Sequence, residues 1–380
     1  MDNINIVNNI NRRGFIKRFG AAGLGTLALF DKMATAEVER IKSSQFNYKW
    51  KTFRSNEVLK IGMIGTDGHT GTIIGNLSKV KGVKLAAYAN HNKRVSRLPK
   101  ETRLYDNYEE MLEKEELDIV GVCLPYYMNA RASIEAAKKK IHIITEKPVA
   151  TTLTDLKMLL KTVIENKVRL TTLLDMRFSP PYQAIHKAVA EGKIGEPILV
   201  TAQKSYKFGA SRPDFYKKKE TYGGTIPWVG IHAIDYIHYT TGLNFSEVTA
   251  FQGNKDHPDY PGFEDYAGVL LRMSNEGTAM INIDYLRPET APTHGDDRLR
   301  IIGSEGVIEI KDSGKRVELI SSSTKPVNIA LLEGRSLFAD FVAELRGQGK
   351  HILSPEEPFE MTRVALLAHQ SANQHRIIML

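Results

Sequence analysis

A lysine at position 147 is set up for chemistry. The apolar run Ile141-His142-Ile143-Ile144-Thr145 leads straight into Glu146-Lys147-Pro148. Such a run has the outline of a buried parallel strand, and open α/β sheets hold their ligands beyond the carboxyl ends of those strands. Pro148 fixes its own φ and lacks an N–H, so the chain turns there. An ammonium so placed can touch a substrate hydroxyl and stabilise the charge that grows as the oxygen loses its proton. The tripeptide is equally compatible with a solvated lysine ahead of a turn, because lysine is seldom buried. The choice between the two rests on the surroundings.

Those surroundings alternate strand and helix. Strand-like runs occur at Val58–Ile64, Val83–Ala89, Asp118–Leu124, Ile141–Thr145 and Val168–Leu174, with helical stretches at about 71–80 and 129–140. This rhythm implies a doubly wound parallel sheet. The first strand runs into Gly65-Thr66-Asp67-Gly68-His69-Thr70-Gly71. A dinucleotide fold would carry G-x-G-x-x-G there. Gly65 fits the first place, whereas Gly68 and Gly71 each fall one residue late. Asp67 is tolerable beside a pyrophosphate only if its carboxylate faces away or caps the helix. After the second strand an acidic residue would take the ribose hydroxyls of NAD. Asn90 stands there, followed by Lys93 and Arg94. That set permits a 2′-phosphate, so NAD(H) and NADP(H) both remain open; the two cations also suit a solvated turn.

The chain has 380 residues with a net charge of +8. Five of its basic residues lie in the first 36, and the rest are scattered without aromatic interleaving. Nucleic acid is not an expected partner. The single Cys123 sits in an apolar run, which excludes an internal disulfide and favours an inert buried thiol. No cluster reads as a metal site. At the front, Asn11-Arg12-Arg13-Gly14-Phe15-Ile16-Lys17 resembles a twin-arginine signal. A weakly apolar stretch from Phe19 to Phe30 and the cleavage pattern Ala34-Thr35-Ala36 follow. That stretch is too short to span a membrane. The expected organisation is a signal peptide at 1–36, a polar linker at 37–57, a Rossmann nucleotide domain at 58–178 and a substrate and oligomerisation domain at 179–380. A periplasmic location follows if the signal acts, with no stable membrane span after its removal.

The Gly65 loop, Leu124-Pro125, the Ala-rich helix and Glu146-Lys147-Pro148 together resemble the glucose-fructose oxidoreductase, inositol dehydrogenase and rhizopine-catabolism (Gfo/Idh/MocA) family. The run Gly223-Gly224-Thr225-Ile226-Pro227-Trp228-Val229-Gly230-Ile231-His232-Ala233-Ile234-Asp235 is similar to that family's G-G-x(3)-D-x-G-x-H-x-x-D segment. The resemblance covers about residues 58–372. It implies a C-terminal α/β domain with a large open, mostly antiparallel sheet whose exposed face builds a homo-oligomer. Strand-like runs at about 197–205, 246–252, 266–273, 278–286, 298–303, 306–311 and 316–320 agree with it. Ser354-Pro355-Glu356-Glu357 is expected to open a final helix.

By the resemblance, Lys147 and His232 flank the reacting carbinol. Lys147 steadies the oxygen, and His232 is the proton acceptor matched to neutral pH. The cofactor would lie along Gly65, Thr66, Asp67, Gly68, His69 and Asn90, with Lys93 and Arg94 beyond. Leu124, Pro125, Asn129, Glu146 and Lys147 would close its other side. Asn129 stands where many relatives have histidine. Asp235, one helical turn from His232, could orient the imidazole. The family's aspartate is Trp228 here, which cannot take a proton and could instead stack on a pyranose face. Tyr206 and Tyr222 are further proton-path candidates, and Arg177, Tyr182 and Lys204 could line the pocket. Thr293 to Asp297 could rim the site or form a hairpin turn.

The expected activity is an exported NAD(P)-dependent oxidoreductase that interconverts a ring hydroxyl and a ketone on a sugar or glycoside, with C3 slightly favoured. Export of a nicotinamide enzyme implies a cofactor that stays bound. Two other functions fit the same residues. One is glycoside cleavage by oxidation and elimination. The other is a non-catalytic protein that binds nucleotide or sugar.

Overall fold

The computed structural model describes residues 39–91, 98–210 and 212–380. Arg40–Leu380 forms one compact unit. The export signal expected at 1–36 lies outside the described residues, as do Lys93 and Arg94.

The first sheet has six parallel strands: β1 (Leu59–Ile64), β2 (Val83–Ala89), β3 (Arg103–Tyr105), β4 (Ile119–Val122), β5 (His142–Thr145) and β6 (Leu170–Thr172). Their order is β3-β2-β1-β4-β5-β6. The central strands are covered on both faces, which is why they read as apolar runs rather than alternating ones. The chain leaves β1 in one direction and resumes from β4 in the other. A crevice therefore opens beyond their carboxyl ends, and the Gly65 loop, Leu124 and Lys147 all sit there.

The second sheet has nine strands. They are β7 (Pro197–Tyr206), β8 (Phe245–Gly253), β9 (Tyr266–Met273), β10 (Thr278–Asp284), β11 (Gly295–Gly303), β12 (Gly306–Lys311), β13 (Arg316–Ser321), β14 (Thr324–Ile329) and β15 (Ile378–Met379). The order is β14-β13-β12-β11-β7-β10-β9-β8-β15. Only β7 and β10 pair in parallel. Burial alternates along β9 and β10, so one face packs against helices. The other face leaves Phe251, Leu270, Met280 and Ile320 exposed.

Three local expectations change. The helix expected over 71–80 shrinks to Gly71–Ile74 with a separate 3₁₀ turn at Leu77–Lys79. Two β-branched isoleucines lead into Gly75, and the Asn76 amide donates to the Thr72 carbonyl at 3.0 Å, so the helix loses its continuation. The final helix begins at Glu357 with Pro358 in its first turn, not at Ser354. The stretch expected as a linker is tied down from Ile41 onward. Ile41, Phe46 and Phe53 are buried, and Phe46 packs on Phe359.

A return of the chain also escapes sequence patterning. The helix Leu337–Leu345 follows the second sheet, yet Leu337, Phe338, Phe341, Val342 and Leu345 join Leu59, Ile61 and Met63 in the core of the first.

Candidate active site

The Gly65 loop folds tightly because of what it packs against. Gly65 has φ +79, and a Cβ there would strike the Cys123 carbonyl at the end of β4. Gly68 has φ +70, and its Cβ would strike the Glu146 carboxylate. Both positions thus need glycine for backbone shape and for space. Glu146 is fully buried and organises the junction. It accepts from the His69 N–H at 2.5 Å, from the His69 ring at 3.0 Å and from the Lys147 N–H at 2.9 Å. Burial pushes this carboxyl up, but His69 and Lys147 outweigh it, and the group stays below its usual range. Glu146 thereby pins the glycine loop to the strand that carries Lys147.

Lys147 is buried, so the surface alternative is set aside. The Lys147–Pro148 peptide is cis. The Lys147 Nζ donates to the Trp228 carbonyl at 2.7 Å and lies 3.0 Å from the centroid of the Trp228 ring. Burial brings the ammonium down to about 7, against the opposing pull of Glu146, and Lys204 adds to the depression. Trp228 belongs to a single π turn, Ile226–Gly230, that runs into the helix Ile231–Thr241. Such turns recur at functional sites because they redirect carbonyls and side chains.

His232, in the first turn of that helix, is 5 % exposed, and its Nδ1 has no hydrogen-bond partner. Its ring lies 5.7 Å from that of His69. Burial first, then the charges of Lys147, Lys204 and His69, hold the imidazole well below its usual pKa. It is neutral at physiological pH and presents a free polar atom. Lys204 is a second buried lysine of the site. Its Nζ meets Asp297 at 2.8 Å and the Met176 sulfur at 3.0 Å.

Two matches join this geometry to known proteins. Residues 59–173 match the model of an oxidoreductase family with an NAD-binding Rossmann fold, and residues 182–309 match the GFO/IDH/MocA C-terminal domain. A solved Thermotoga maritima structure described as an oxidoreductase superposes with a TM-score of 0.80 at 39% identity, covering 85% of this chain and 100% of that one. The chain belongs to the Gfo/Idh/MocA oxidoreductase family. Another relative is the myo-inositol 2-dehydrogenase of Thermotoga maritima, 28% identical over 260 residues, 66% of this chain and 74% of that enzyme. The 2,7-anhydro-N-acetylneuraminate hydratase of Escherichia coli is 30% identical over 164 residues, 43% and 44% of the two chains.

The residues at the crevice suit the dinucleotide of a Gfo/Idh/MocA protein. The Asn129 Oδ1 accepts from the Leu124 N–H at 3.0 Å, which leaves its buried Nδ2 without a partner beside Pro125. At the end of β2 the Asn90 Nδ2 donates to the Asp106 carbonyl at 3.2 Å, while its buried Oδ1 has no partner. Turning the amide over would set oxygen against oxygen, so the free atom is an acceptor. Such orphaned groups are rare unless a ligand satisfies them. Thr66 and Asp67 lie in the same loop, and the Asp67 N–H donates to the Cys123 carbonyl at 2.8 Å.

Four expected roles meet a different geometry. Asp235 does not orient His232; both its oxygens are taken by Arg177, with Nε to Oδ2 at 3.1 Å and Nη2 to Oδ1. Arg177, in turn, is not a pocket wall but the fully buried centre of an ion network that includes Glu357 at 3.0 Å. Trp228 has no face left for a pyranose. Tyr126 stacks on it at 3.6 Å and 18°, and the Lys147 ammonium covers the ring at 3.0 Å, too close for both to share one side. The Tyr222 hydroxyl is engaged with the Thr225 hydroxyl at 2.9 Å. Tyr206 remains near the centre, with its ring 5.2 Å from the Lys204 Nζ.

Sequence reasoning gave Lys204 too little emphasis, although a signal was present. Val200, Ala202 and Lys204 alternate along β7, and all three point inward. A lysine in phase with two core residues is a buried lysine.

Proposed function

We propose that the protein oxidises a ring hydroxyl of a sugar or glycoside to a ketone, and reverses that reaction, with Lys147 as the proton acceptor. The buried Lys147 ammonium, held by the Trp228 carbonyl and the Trp228 ring, carries this conclusion. A bound nicotinamide supplies the hydride acceptor at C4. Neutral Lys147 takes the hydroxyl proton at Nζ, and the ammonium formed returns to the Trp228 carbonyl. His232 is not the base here, because imidazolium beside two ammonium groups is disfavoured; neutral, it hydrogen-bonds and orients the hydroxyl through its free Nδ1. With Lys147 at about 7, kcat/KM for oxidation should rise with pH through that value and level off above it. Ketone reduction, which needs the ammonium, should fall over the same interval. Flat profiles for both directions between pH 5 and 9 would remove Lys147 from the proton transfer.

The orphaned Asn90 acceptor favours NAD, since a ribose hydroxyl can donate to it and a 2′-phosphate cannot. The twin-arginine pattern supports export with the nucleotide already bound, and the exposed apolar strip on the second sheet supports a homo-oligomer. C3 remains the favoured carbon. Native mass spectrometry of protein taken from the cell envelope reads these together. The expected species lacks the first 36 residues, contains more than one copy and carries one NAD per copy. A nucleotide-free monomer, or full-length protein found only in the cytoplasm, contradicts the corresponding part. The hydratase relative favours one second reading, transient oxidation followed by elimination. A released free sugar, in place of a keto-glycoside, would identify it.

A further inference from the structure

We infer that His69 is a second base of this site, which removes the C–H proton from the carbon next to the newly formed ketone. This rests on the ring-hydroxyl oxidation proposed above, because that C–H bond is acidic only beside a ketone. The oxidation uses Lys147 and His232 and leaves His69 unused. A residue in the glycine loop of a dinucleotide fold would offer its backbone N–H to a phosphate. The His69 N–H is instead committed to Glu146 at 2.5 Å, and its carbonyl accepts from the Thr72 N–H at 2.9 Å. What His69 can still offer a ligand is its imidazole.

Glu146 prepares that imidazole. Both carboxylate oxygens lie 3.0 Å from the His69 Nδ1. The carboxylate is fully buried and ionised, so it only accepts. Nδ1 therefore carries the hydrogen, and Nε2, on the far side of the ring, carries the lone pair. A carboxylate that fixes the tautomer of an imidazole while the other nitrogen faces away is the arrangement of a general base. The His69 side chain is 36% exposed while Glu146 is closed off, so the accessible edge is the one that bears Nε2.

Direct contacts place this edge at the reacting centre. The His69 ring lies 5.7 Å from the His232 ring and 6.1 Å from the Trp228 ring. The Lys147 Nζ lies 3.0 Å from the same Trp228 ring. Lys147 and His69 thus border one indole, a separation that suits groups acting on neighbouring atoms of one sugar ring. The ketone oxygen faces the Lys147 ammonium. The C–H bond on the adjacent carbon breaks, its proton goes to His69 Nε2, and its electron pair forms the C=C bond of an enolate. The carbonyl pair moves onto oxygen, where the ammonium stabilises it. Return of a proton from Nε2 restores the ketone, with the hydrogen exchanged against solvent. Where the next carbon carries a leaving oxygen, the enolate expels it and the imidazolium protonates it.

The test uses the full chain with its bound nucleotide in heavy water. Methyl glucoside supplies the alcohol, and its 3-keto derivative supplies the ketone directly. NMR and mass spectrometry read the ketone and the deuterium on the carbons beside it. With the unaltered protein the keto glycoside should gain deuterium at one neighbouring carbon, well above the enzyme-free rate. The His69→Gln amide can still donate to Glu146 but cannot take a proton. In that variant the deuterium incorporated per ketone formed from methyl glucoside should fall by about 10²-fold. Loss of nucleotide would lower both quantities together and leave their ratio unchanged. An unchanged ratio in His69→Gln overturns the assignment, as does a ratio that falls only in His232→Gln. A keto glycoside that gains no deuterium above the enzyme-free rate overturns it without recourse to any variant. Deuterium entering the keto glycoside through His69, with no ketone from methyl glucoside, would keep the base and overturn the oxidation reading instead.

Discussion

Lys147→Met should keep the fold and the nucleotide while kcat falls by about 10²–10⁴-fold, the range for a positioned acid or base. Methionine replaces the ammonium with an apolar group of similar length, so the loss reports chemistry rather than a void. KM should move little, because the ammonium acts on an oxygen whose charge develops only as the proton leaves. A variant within about three-fold of the parent in kcat would refute the assignment.

The same substitution should stabilise the protein, and the sign depends on pH. Lys147 has a folded-state pKa of about 7 against a model value of 10.5. Above 10.5 both states hold the neutral amine, and the group costs nothing. As pH falls toward 7 the unfolded chain binds a proton that the folded chain resists, and below 7 the full penalty applies. The advantage of Lys147→Met in thermal midpoint should therefore be largest below pH 7 and fade toward pH 10.5. Lower activity with higher stability is the mark of a group retained for function against the interests of the fold. A structural lysine would differ in the second readout, since its removal would lower stability as well.

How much of this was legible beforehand follows from the range of the contacts. The Glu146-Lys147-Pro148 junction was readable because strand, charge and turn are adjacent in sequence. The first sheet was readable because its strands, buried on both faces, leave apolar runs between turn residues. His232 was reachable only through the family segment. What failed depended on partners far along the chain. Arg177 and Asp235 are 58 residues apart, and nothing in the helix around Asp235 signals that its carboxylate is already taken. The stack of Tyr126 on Trp228 turned a candidate sugar platform into a support for Lys147. The helix Leu337–Leu345 shows an apolar stripe in sequence, but no pattern says which sheet it covers.

Asp235→Ala should cost about 3–5 kcal/mol of unfolding free energy, the penalty for leaving one buried charge without its partner. Arg177 is fully buried, and its Nε and Nη2 are both committed to Asp235. Glu357 and the Ile352 carbonyl hold only Nη1, at 3.0 and 3.2 Å, so they cannot replace what Asp235 provides. Arg177 cannot escape by deprotonation, because a guanidinium stays protonated in proteins even when buried. The pair also anchors the helix that carries His232, so nearby turnover should decline, though by less than in Lys147→Met. A loss smaller than about 0.5 kcal/mol in denaturant titration, the level of an ordinary surface change, would mean that the pair does not form. The decisive comparison is Arg177→Met combined with Asp235→Leu. With both charges gone, Glu357 and the Ile352 carbonyl lose Arg177, but Glu357 keeps His238 at 3.2 Å and the Ser354 N–H at 2.6 Å, so the double variant should recover most of the stability lost by Asp235→Ala alone. If it is as unstable as the single variant, the helix depends on the shape of Asp235 rather than on its charge.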